Sequence, residues 1–316
     1  MQRDLAANES ERQPGVIDSI ADGLTLAVAR PLLLILPMLL DLYLWAGWRV
    51  TFQSLTAPIR SLVIRQDPQG GAEIASRLES LGRSDATQLL AVFTPSLLAG
   101  AKRADIYVVH DRPGFAPGYW GVSVLMLLGL MLAAVAIMMI FSVPLADAAV
   151  NRTRSVRATL VAIGRGTLRA LGLLLLTIGI AMLLIGPVLI GWLALLIVGI
   201  DVLLLVGLVL VAASLAGFIV WWFALKAIVV SDVGPLKALY YSVAVVRAYF
   251  WQTLGFTAAW LLITLGLGEL WLRIADTAPG LLIGIVANAF FAGGLAMAGM
   301  MFYESRIRTL APRLSR

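Results

Sequence analysis

Long apolar runs, separated by short polar segments rich in arginine, form the dominant pattern of this chain. Several runs exceed the roughly 20 apolar residues that a helix needs to cross a hydrocarbon core about 30 Å thick. The run from Leu171 to Val230 is almost unbroken and too long for one crossing, so it predicts two spans with a turn between Gly191 and Asp201. The pattern therefore predicts an all-α, polytopic membrane helical bundle.

Six such spans account for the whole chain. We predict, in order, a cytoplasmic N-terminal tail (1–23), a first span (24–49), an extracytoplasmic helical segment (50–118), five further spans (119–303) and a basic cytoplasmic tail (304–316). Lysine and arginine concentrate in the short connections and at the C-terminus, which the positive-inside rule places in the cytoplasm. We therefore expect a multi-pass protein of a bacterial plasma membrane with both termini in the cytoplasm.

Two of the cytoplasmic connections, near 152–169 and 235–250, are predicted to be amphipathic interfacial helices. The second follows a polar break in which Asp232 can cap the helix and Pro235 can occupy its first turn. One face of this helix is apolar, at Leu236, Leu239, Val243, Val246 and Phe250. The order of span, interfacial helix and span thus occurs twice, either as an internal repeat or because two similar connectors share a composition.

The segment 50–118 contains two predicted helices. The first covers Glu73–Leu81 and carries a Glu73–Arg77 pair at the i, i+4 spacing. In the second, Asp85 followed by Gln88 resembles a capping box, and the helix runs to Leu98 with an interruption at Pro95. A piece of this size buries little surface alone, so we expect it to dock onto the spans or the membrane surface.

Composition agrees with a membrane protein and excludes several other classes. Hydrophobic residues make up 60% of the chain and charged residues only 13%, which is far from the balance of soluble domains. The net charge of +6 comes mainly from arginines beside the spans, so it indicates topology and not nucleic-acid binding. Because cysteine is absent, disulfides, thiol nucleophiles and cysteine-ligated metals are excluded.

A resemblance to a known family rests on the stretch Ala227–Gly255, with its Gly-Pro-Leu-Lys-Ala-Leu and Val-Arg-Ala-Tyr-Phe-Trp sequences, and on the opening span Arg30–Trp45. These stretches resemble the integral membrane domains attached to some bacterial glycerophosphodiester phosphodiesterases, and stand-alone six-span proteins of that type. The resemblance implies a fold and a membrane location. It implies no activity, because the phosphodiesterase chemistry of the fused proteins belongs to a separate soluble barrel that this chain has no room for.

Four polar residues are predicted inside or near the spans. Asp41 lies within the first span and is either a proton or cation site or a carboxylate hydrogen-bonded between spans. Glu269 and Arg273 have the i, i+4 spacing of a self-satisfying pair, although Arg273 could instead reach Asp41. Asn288 shares a helix face with two glycines, which is typical of helix packing, and a substrate contact is the alternative.

Basic residues near the cytoplasmic ends of the spans are candidate contacts for anionic lipid. Lys226 lies beneath two tryptophans, where snorkelling to the interface explains it without a ligand. The alternative is attraction of anionic headgroups or of a lipid-linked phosphate. The complete set of candidates is Lys226, Lys237, Arg247, Arg152, Arg154 and Arg157.

No arrangement of residues indicates catalysis. His110 is the only histidine and is a weak candidate for a metal site or a triad, and Gly164-Arg165-Gly166 lacks the strand that a phosphate-binding loop requires. We therefore expect no cofactor, no metal and no enzymatic activity. The predicted function is that of an accessory, scaffold or envelope-homeostasis component.

The expected partners are membrane lipids, together with a membrane protein or a second copy of this chain. The alternative function is a transporter or lipid-handling protein with its path near Asp41, Asn288 and the Glu269–Arg273 pair.

Overall fold

The computed structural model of the chain describes residues 14–67, 70–99, 112–197 and 203–314, which are almost entirely helical. The helices are α1 (Val16–Ala29), α2 (Ile35–Ala46), α3 (Gln53–Gln66), α4 (Gly71–Arg83), α5 (Trp120–Ala149), α6 (Val156–Ile197), α7 (Leu203–Ser231), α8 (Pro235–Ala248), α9 (Phe250–Ile274) and α10 (Ala278–Leu314). Short 3₁₀ helices cover Pro31–Leu34 and Ala86–Ala91, and the two-residue strands β1 (Arg49–Val50) and β2 (Gly114–Phe115) pair in parallel. The predicted all-α fold class is confirmed.

Within the described residues, five helices are long and apolar enough to cross a membrane: α5, α6, α7, α9 and α10. A sixth span results if α1 and the Pro31–Ala46 pair of helices cross together, although a bend of 97° separates them. The bend falls at Arg30, whose backbone leaves the helical region (φ −134°, ψ 60°) because the ring of the following Pro31 disfavours a helical conformation there. The chain is a multi-pass membrane protein of five or six spans by length and composition.

The chain divides into two compact units. The first unit comprises residues up to Leu26, Ser142–Leu262 and the chain from Gly294 onwards. Within it, α1 approaches α10 at Gly23, and α8 packs on α7 through a hydrogen bond of 2.5 Å from Ser242 Oγ to the carbonyl oxygen of Val220. Its interior also contains the aromatic side chains of α7, α9 and α10.

The second unit comprises Ala27–Phe141 and Ile263–Gly293. Its buried apolar cluster combines α2, the loop after the second 3₁₀ helix, the end of α9 and the start of α10, through Leu40, Leu44, Ala91, Leu97, Leu98, Ala275, Leu281 and Ile285. Helices α3 and α4 form a hairpin, which is closed by an ion pair of 2.8 Å between Arg60 and Glu79 and by the close approach of Gly82 to Thr56.

One predicted boundary between elements is absent. The segment 152–169 and the third span do not form two helices, since α6 runs without a break for 42 residues, or roughly 63 Å. The corresponding connection between α8 and α9 is interrupted at Tyr249 (φ −125°, ψ 40°). Helix α6 ends at Ile197 and α7 begins at Leu203, and the residues between them, including Asp201, lie outside the described residues.

The segment 50–118 also differs from the expectation. The predicted helix Glu73–Leu81 is present inside α4, but α3 was not predicted. The helix expected from Asp85 to Leu98 is wrong: a 3₁₀ helix ends at Ala91 and irregular backbone follows. The backbone after Pro95 turns to bind a carboxylate of α2 and therefore does not continue a helix.

Helices extend into both predicted tails. Residues Val16–Gly23 belong to α1, whose Ser19 is buried. At the other end α10 continues to Leu314, because Arg306, Ile307 and Leu310 are buried on its inner face.

Candidate functional site

Asp41 is fully buried in α2 and binds the backbone of the loop after Pro95. Its carboxylate accepts hydrogen bonds from Ser96 Oγ and from the backbone N–H groups of Leu97 (3.0 Å) and Leu98 (3.2 Å). The Ser96 hydroxyl in turn accepts a bond of 3.0 Å from the N–H of Ala99. The structure thus favours the interpretation of Asp41 as a structural carboxylate.

The other three predicted polar residues do not converge on Asp41. Arg273 approaches Glu269 at 3.9 Å, and its side chain is 75% exposed, so it does not reach towards Asp41. Asn288 is buried on α10. One turn before it, a Cβ added at Gly284 would lie 3.4 Å from the backbone oxygen of Trp271, which favours the packing interpretation of this face.

The arginines after α5 are held by one acid. Asp147 lies near Arg152 (3.7 Å) and Arg154 (3.5 Å), and Arg152 Nη2 donates a hydrogen bond of 2.8 Å to the carbonyl oxygen of Val230. These contacts join the ends of α5 and α7. Arg152 and Arg154 therefore have structural partners.

A second acid holds the start of α6. Asp232, just after α7, pairs with Arg169 and with Arg165 at 3.6 Å. Its backbone has a positive φ of 52°, a conformation that aspartate and asparagine tolerate better than other residues with a side chain beyond Cβ. The turn that carries Asp232 thus positions an acid against the basic face of α6.

Three of the predicted lipid contacts remain at the surface. Arg157 at the start of α6, and Lys237 and Arg247 on α8, are all exposed. They keep the geometry that a diffuse electrostatic contact with anionic headgroups requires.

Lys226 is the candidate lipid contact whose observed position differs most from the predicted one. It is only 7% exposed, so it does not snorkel, and its Nζ lies 3.1 Å from the centroid of the Trp222 ring. Gly299 of α10 makes room for it, since a Cβ there would lie 2.5 Å from Lys226 Cε. A desolvated cation–π contact stabilises an ammonium by about 2 kcal/mol, which is less than the several kcal/mol that burial of an ion costs.

Arg306 is a second buried cation, and it was not among the predicted site residues. It is 1% exposed, and its guanidinium carbon lies 3.8 Å from the centroid of the Phe302 ring. Its hydrogen bonds go to neutral oxygens, those of Ser305 (2.7 Å), Pro14 (2.8 Å) and Gln252 (3.3 Å). Its buried Nε has no hydrogen-bond partner in the described part of the chain.

Four aromatic rings connect the two cations, and we call Trp222, Phe223, Phe256 and Phe302 the aromatic cluster. Phe302 stacks on Phe256 at 4.5 Å and lies 6.0 Å from Phe223, and Trp222 lies 5.1 Å from Phe223. The cluster joins α7, α9 and α10, and each cation lies over one of its rings. This arrangement can accept an anion but contains no nucleophile beside a base.

The carboxylates of the same unit that lie on α5, α10 and the loop after α7 are bound elsewhere. Asp147 and Asp232 hold the arginines described above, and Glu304 pairs with Arg308. Within the described residues, no carboxylate lies within 4.0 Å of Lys226 or Arg306. Two buried basic side chains therefore lack a carboxylate partner in this part of the protein.

None of the family models, curated proteins and solved structures compared with the chain matches it. The resemblance to membrane domains of phosphodiesterases therefore stays a prediction, and the site is interpreted from its geometry.

The described residues contain no group of three or more His, Cys, Asp or Glu side chains able to hold a metal ion. His110, the weak candidate for catalysis, lies outside these residues.

Arg306 was not predicted as a site residue, because its sequence neighbours indicate a basic tail. A signal was present, since Phe302, Tyr303, Arg306, Ile307 and Leu310 continue the i, i+3, i+4 spacing of a buried helix face. A cation on such a face indicates burial, whereas Arg308, one position off the face, pairs at the surface with Glu304.

Proposed function

We propose that this protein acts by association in a bacterial plasma membrane, as an accessory, scaffold or envelope-homeostasis component without catalytic activity. In this proposal six spans hold both termini in the cytoplasm, and the contacts are made by the helices at the cytoplasmic ends of the spans. The arginine distribution of the sequence supports this orientation.

The surface of α8 is the observation that carries the proposal. This helix packs on its neighbours through the small face Ala238, Ser242 and Val245, whereas Leu236 and Val243 of its predicted apolar face are exposed. Leu236 is 70% exposed and Phe250, just beyond the helix, is 50% exposed. An exposed apolar stripe flanked by exposed lysine and arginine is the arrangement of a helix that lies in the membrane interface.

The first part of α6 supports the same proposal. Val156, Leu160 and Leu168 are exposed on one side of the helix. Arg165 and Arg169, on the other side, are held by Asp232. Because this part is continuous with a span, its apolar side is fixed in orientation and suited to a lasting contact with lipid.

The predicted transport path has less support. Asp41 is occupied by the backbone of Leu97 and Leu98, and Glu269 and Arg273 are exposed. A proton or ion path needs polar groups that converge and exchange partners. One observation favours the second candidate function, lipid handling: two cations, Lys226 and Arg306, are buried on helices that cross the membrane.

Native mass spectrometry of the full chain extracted into nanodiscs tests the association. We expect lipid, or a membrane protein, to remain bound at a defined stoichiometry, and we expect Leu236→Ser/Phe250→Ser to reduce that retention without lowering the melting temperature. The control is Ile59→Ser/Leu62→Ser, which removes comparably exposed apolar side chains from α3. Equal retention by both double variants, or no retained molecule with the unaltered chain, would contradict the proposal.

A further inference from the structure

Lys226 is placed inside the protein by specific neighbours. It lies on α7 five residues before the helix ends, with its stem against Gly299 of α10 and its Nζ over the Trp222 ring. A Cβ at position 299 would lie 2.5 Å from Lys226 Cε, so the end of the lysine would have to shift. The ammonium is therefore held against an aromatic ring within a span, where an isolated charge is costly and indicates a functional site.

The buried basic side chains of this region are not paired with carboxylates of the described chain. The carboxylates of Asp147, Asp232 and Glu304 are engaged with arginines other than Arg306, and they are not within 4.0 Å of Lys226. Arg306, over the Phe302 ring of the same aromatic cluster, is a second buried basic side chain with only neutral hydrogen-bond partners. An anion supplied from outside the described residues would offset both charges.

We propose that Lys226, with Arg306 as the second cation, binds the phosphate group of an anionic lipid at the aromatic cluster. Lys226 Nζ donates to the phosphate oxygens as a compact point charge, and Arg306 Nε is a further donor without a partner in the described chain. The inference rests on the proposed function, in which lipid is a partner, and it names the lipid class and the residues.

A lipid is favoured over a soluble phosphate by the elements that build the site. The cluster belongs to α7, α9 and α10, all long and apolar enough to cross a membrane. Aromatic rings provide apolar surface beside the headgroup, whereas a soluble anion would have to lose its hydration without that gain.

The experiment measures lipid selectivity of the full chain in nanodiscs of phosphatidylcholine that contain phosphatidylglycerol as the minority lipid. Native mass spectrometry should show preferential retention of phosphatidylglycerol. Lys226→Met should lower this preference about tenfold or more, because it removes a charge-assisted hydrogen bond. Arg65→Met removes one positive charge from an exposed position of α3 and should leave the preference nearly unchanged.

Further variants distinguish loss of the site from a folding defect, and a phosphate titration distinguishes a lipid from a soluble anion. Lys226→Arg should keep the preference, and Gly299→Ala, which retains the lysine but displaces its stem, should lower it. Addition of inorganic phosphate to the protein in pure phosphatidylcholine should not raise the melting temperature. If phosphate alone does so, the lipid assignment is wrong.

Equal losses for Lys226→Met and Arg65→Met would show an effect of surface charge alone and overturn the proposal. If the unaltered chain retains lipid without class preference, the proposed lipid site is wrong, while the proposed association is still supported. If it retains neither lipid nor protein, both proposals are wrong.

Discussion

The Asp41 carboxylate replaces the backbone acceptors that the chain after Pro95 lacks. The N–H groups of Leu97 and Leu98 lie outside any helix, and in apolar surroundings an unbonded N–H is costly. Asp41 accepts from both, and Ser96 completes its coordination. One side chain thus allows irregular backbone to pack on α2.

We expect Asp41→Asn to lower the free energy of unfolding by about 1–3 kcal/mol, because the amide presents donors to N–H groups that need an acceptor. Thermal unfolding of the full chain in nanodiscs, followed by tryptophan fluorescence, measures the loss. Asp276→Asn, at an exposed position of the same unit, is the matched control. An equal melting temperature for the two variants would show that the hydrogen bonds to Asp41 do not stabilise the fold.

The roles of single residues could be predicted from the sequence only in part. The position of Asp41 within an apolar run indicated that it is special, but its partner Ser96 lies 55 positions away and no local pattern connects them. The snorkelling of Lys226 was expected from its place near a span end. The structure differs because Gly299, on another helix, opens a path into the interior.

At the scale of elements, α1 and α10 pack backbone to backbone. A Cβ at Gly23 would overlap the carbonyl oxygen of Gly294 and would lie 2.5 Å from the backbone nitrogen of Ala298. Small residues at such crossings let membrane helices approach closely, and packing is then their main source of association.

We expect Gly23→Ala to destabilise the protein by about 1–3 kcal/mol, because the two helices must move apart. The higher helix propensity of alanine, worth about 1 kcal/mol, opposes this loss only in part. Gly217→Ala in α7, where no neighbour lies within 4 Å, isolates the propensity effect and should not destabilise. Melting temperatures of the two variants give the comparison, and a stable Gly23→Ala protein would disprove the close packing.

Spans were predictable as elements because the length of an apolar run is a local property. Helix α3 was not, since it buries no residue and carries Pro58 in its interior. The continuity of α6 was also not predicted. The change from basic to apolar residues at Leu171 marks a change of solvent around the helix, and the helical backbone continues through it.

At the scale of the molecule, the two connectors of the first unit begin alike. Asn151 after α5 and Asp232 after α7 both have φ of 52°, and a helix starts within a few residues of each. Such a turn is common after helices, so it agrees with an internal repeat and with chance similarity alike. The copies then diverge, because α6 is continuous where α8 and α9 are separate.

The number of spans determines the topology of the whole chain, and it depends on whether α1 and α2 cross as one bent element. With six spans the two termini lie on the same side of the membrane, and with five they lie on opposite sides. Hydrophobic length alone could not decide this, because the bend at Arg30 is a property of the Arg-Pro backbone.

Single cysteines test the topology directly, since the natural chain contains none and gives no background labelling. We expect Ser10→Cys and Thr153→Cys to react with a membrane-impermeant thiol reagent only after the cells are permeabilised. Asp276→Cys, in the exposed turn between α9 and α10, should react in intact spheroplasts. Labelling of Ser10→Cys before permeabilisation would mean that α1 and α2 do not cross together and that five spans remain. Labelling of Thr153→Cys from outside would invert the orientation and remove the arginines from the cytoplasmic face, where the positive-inside rule predicts them.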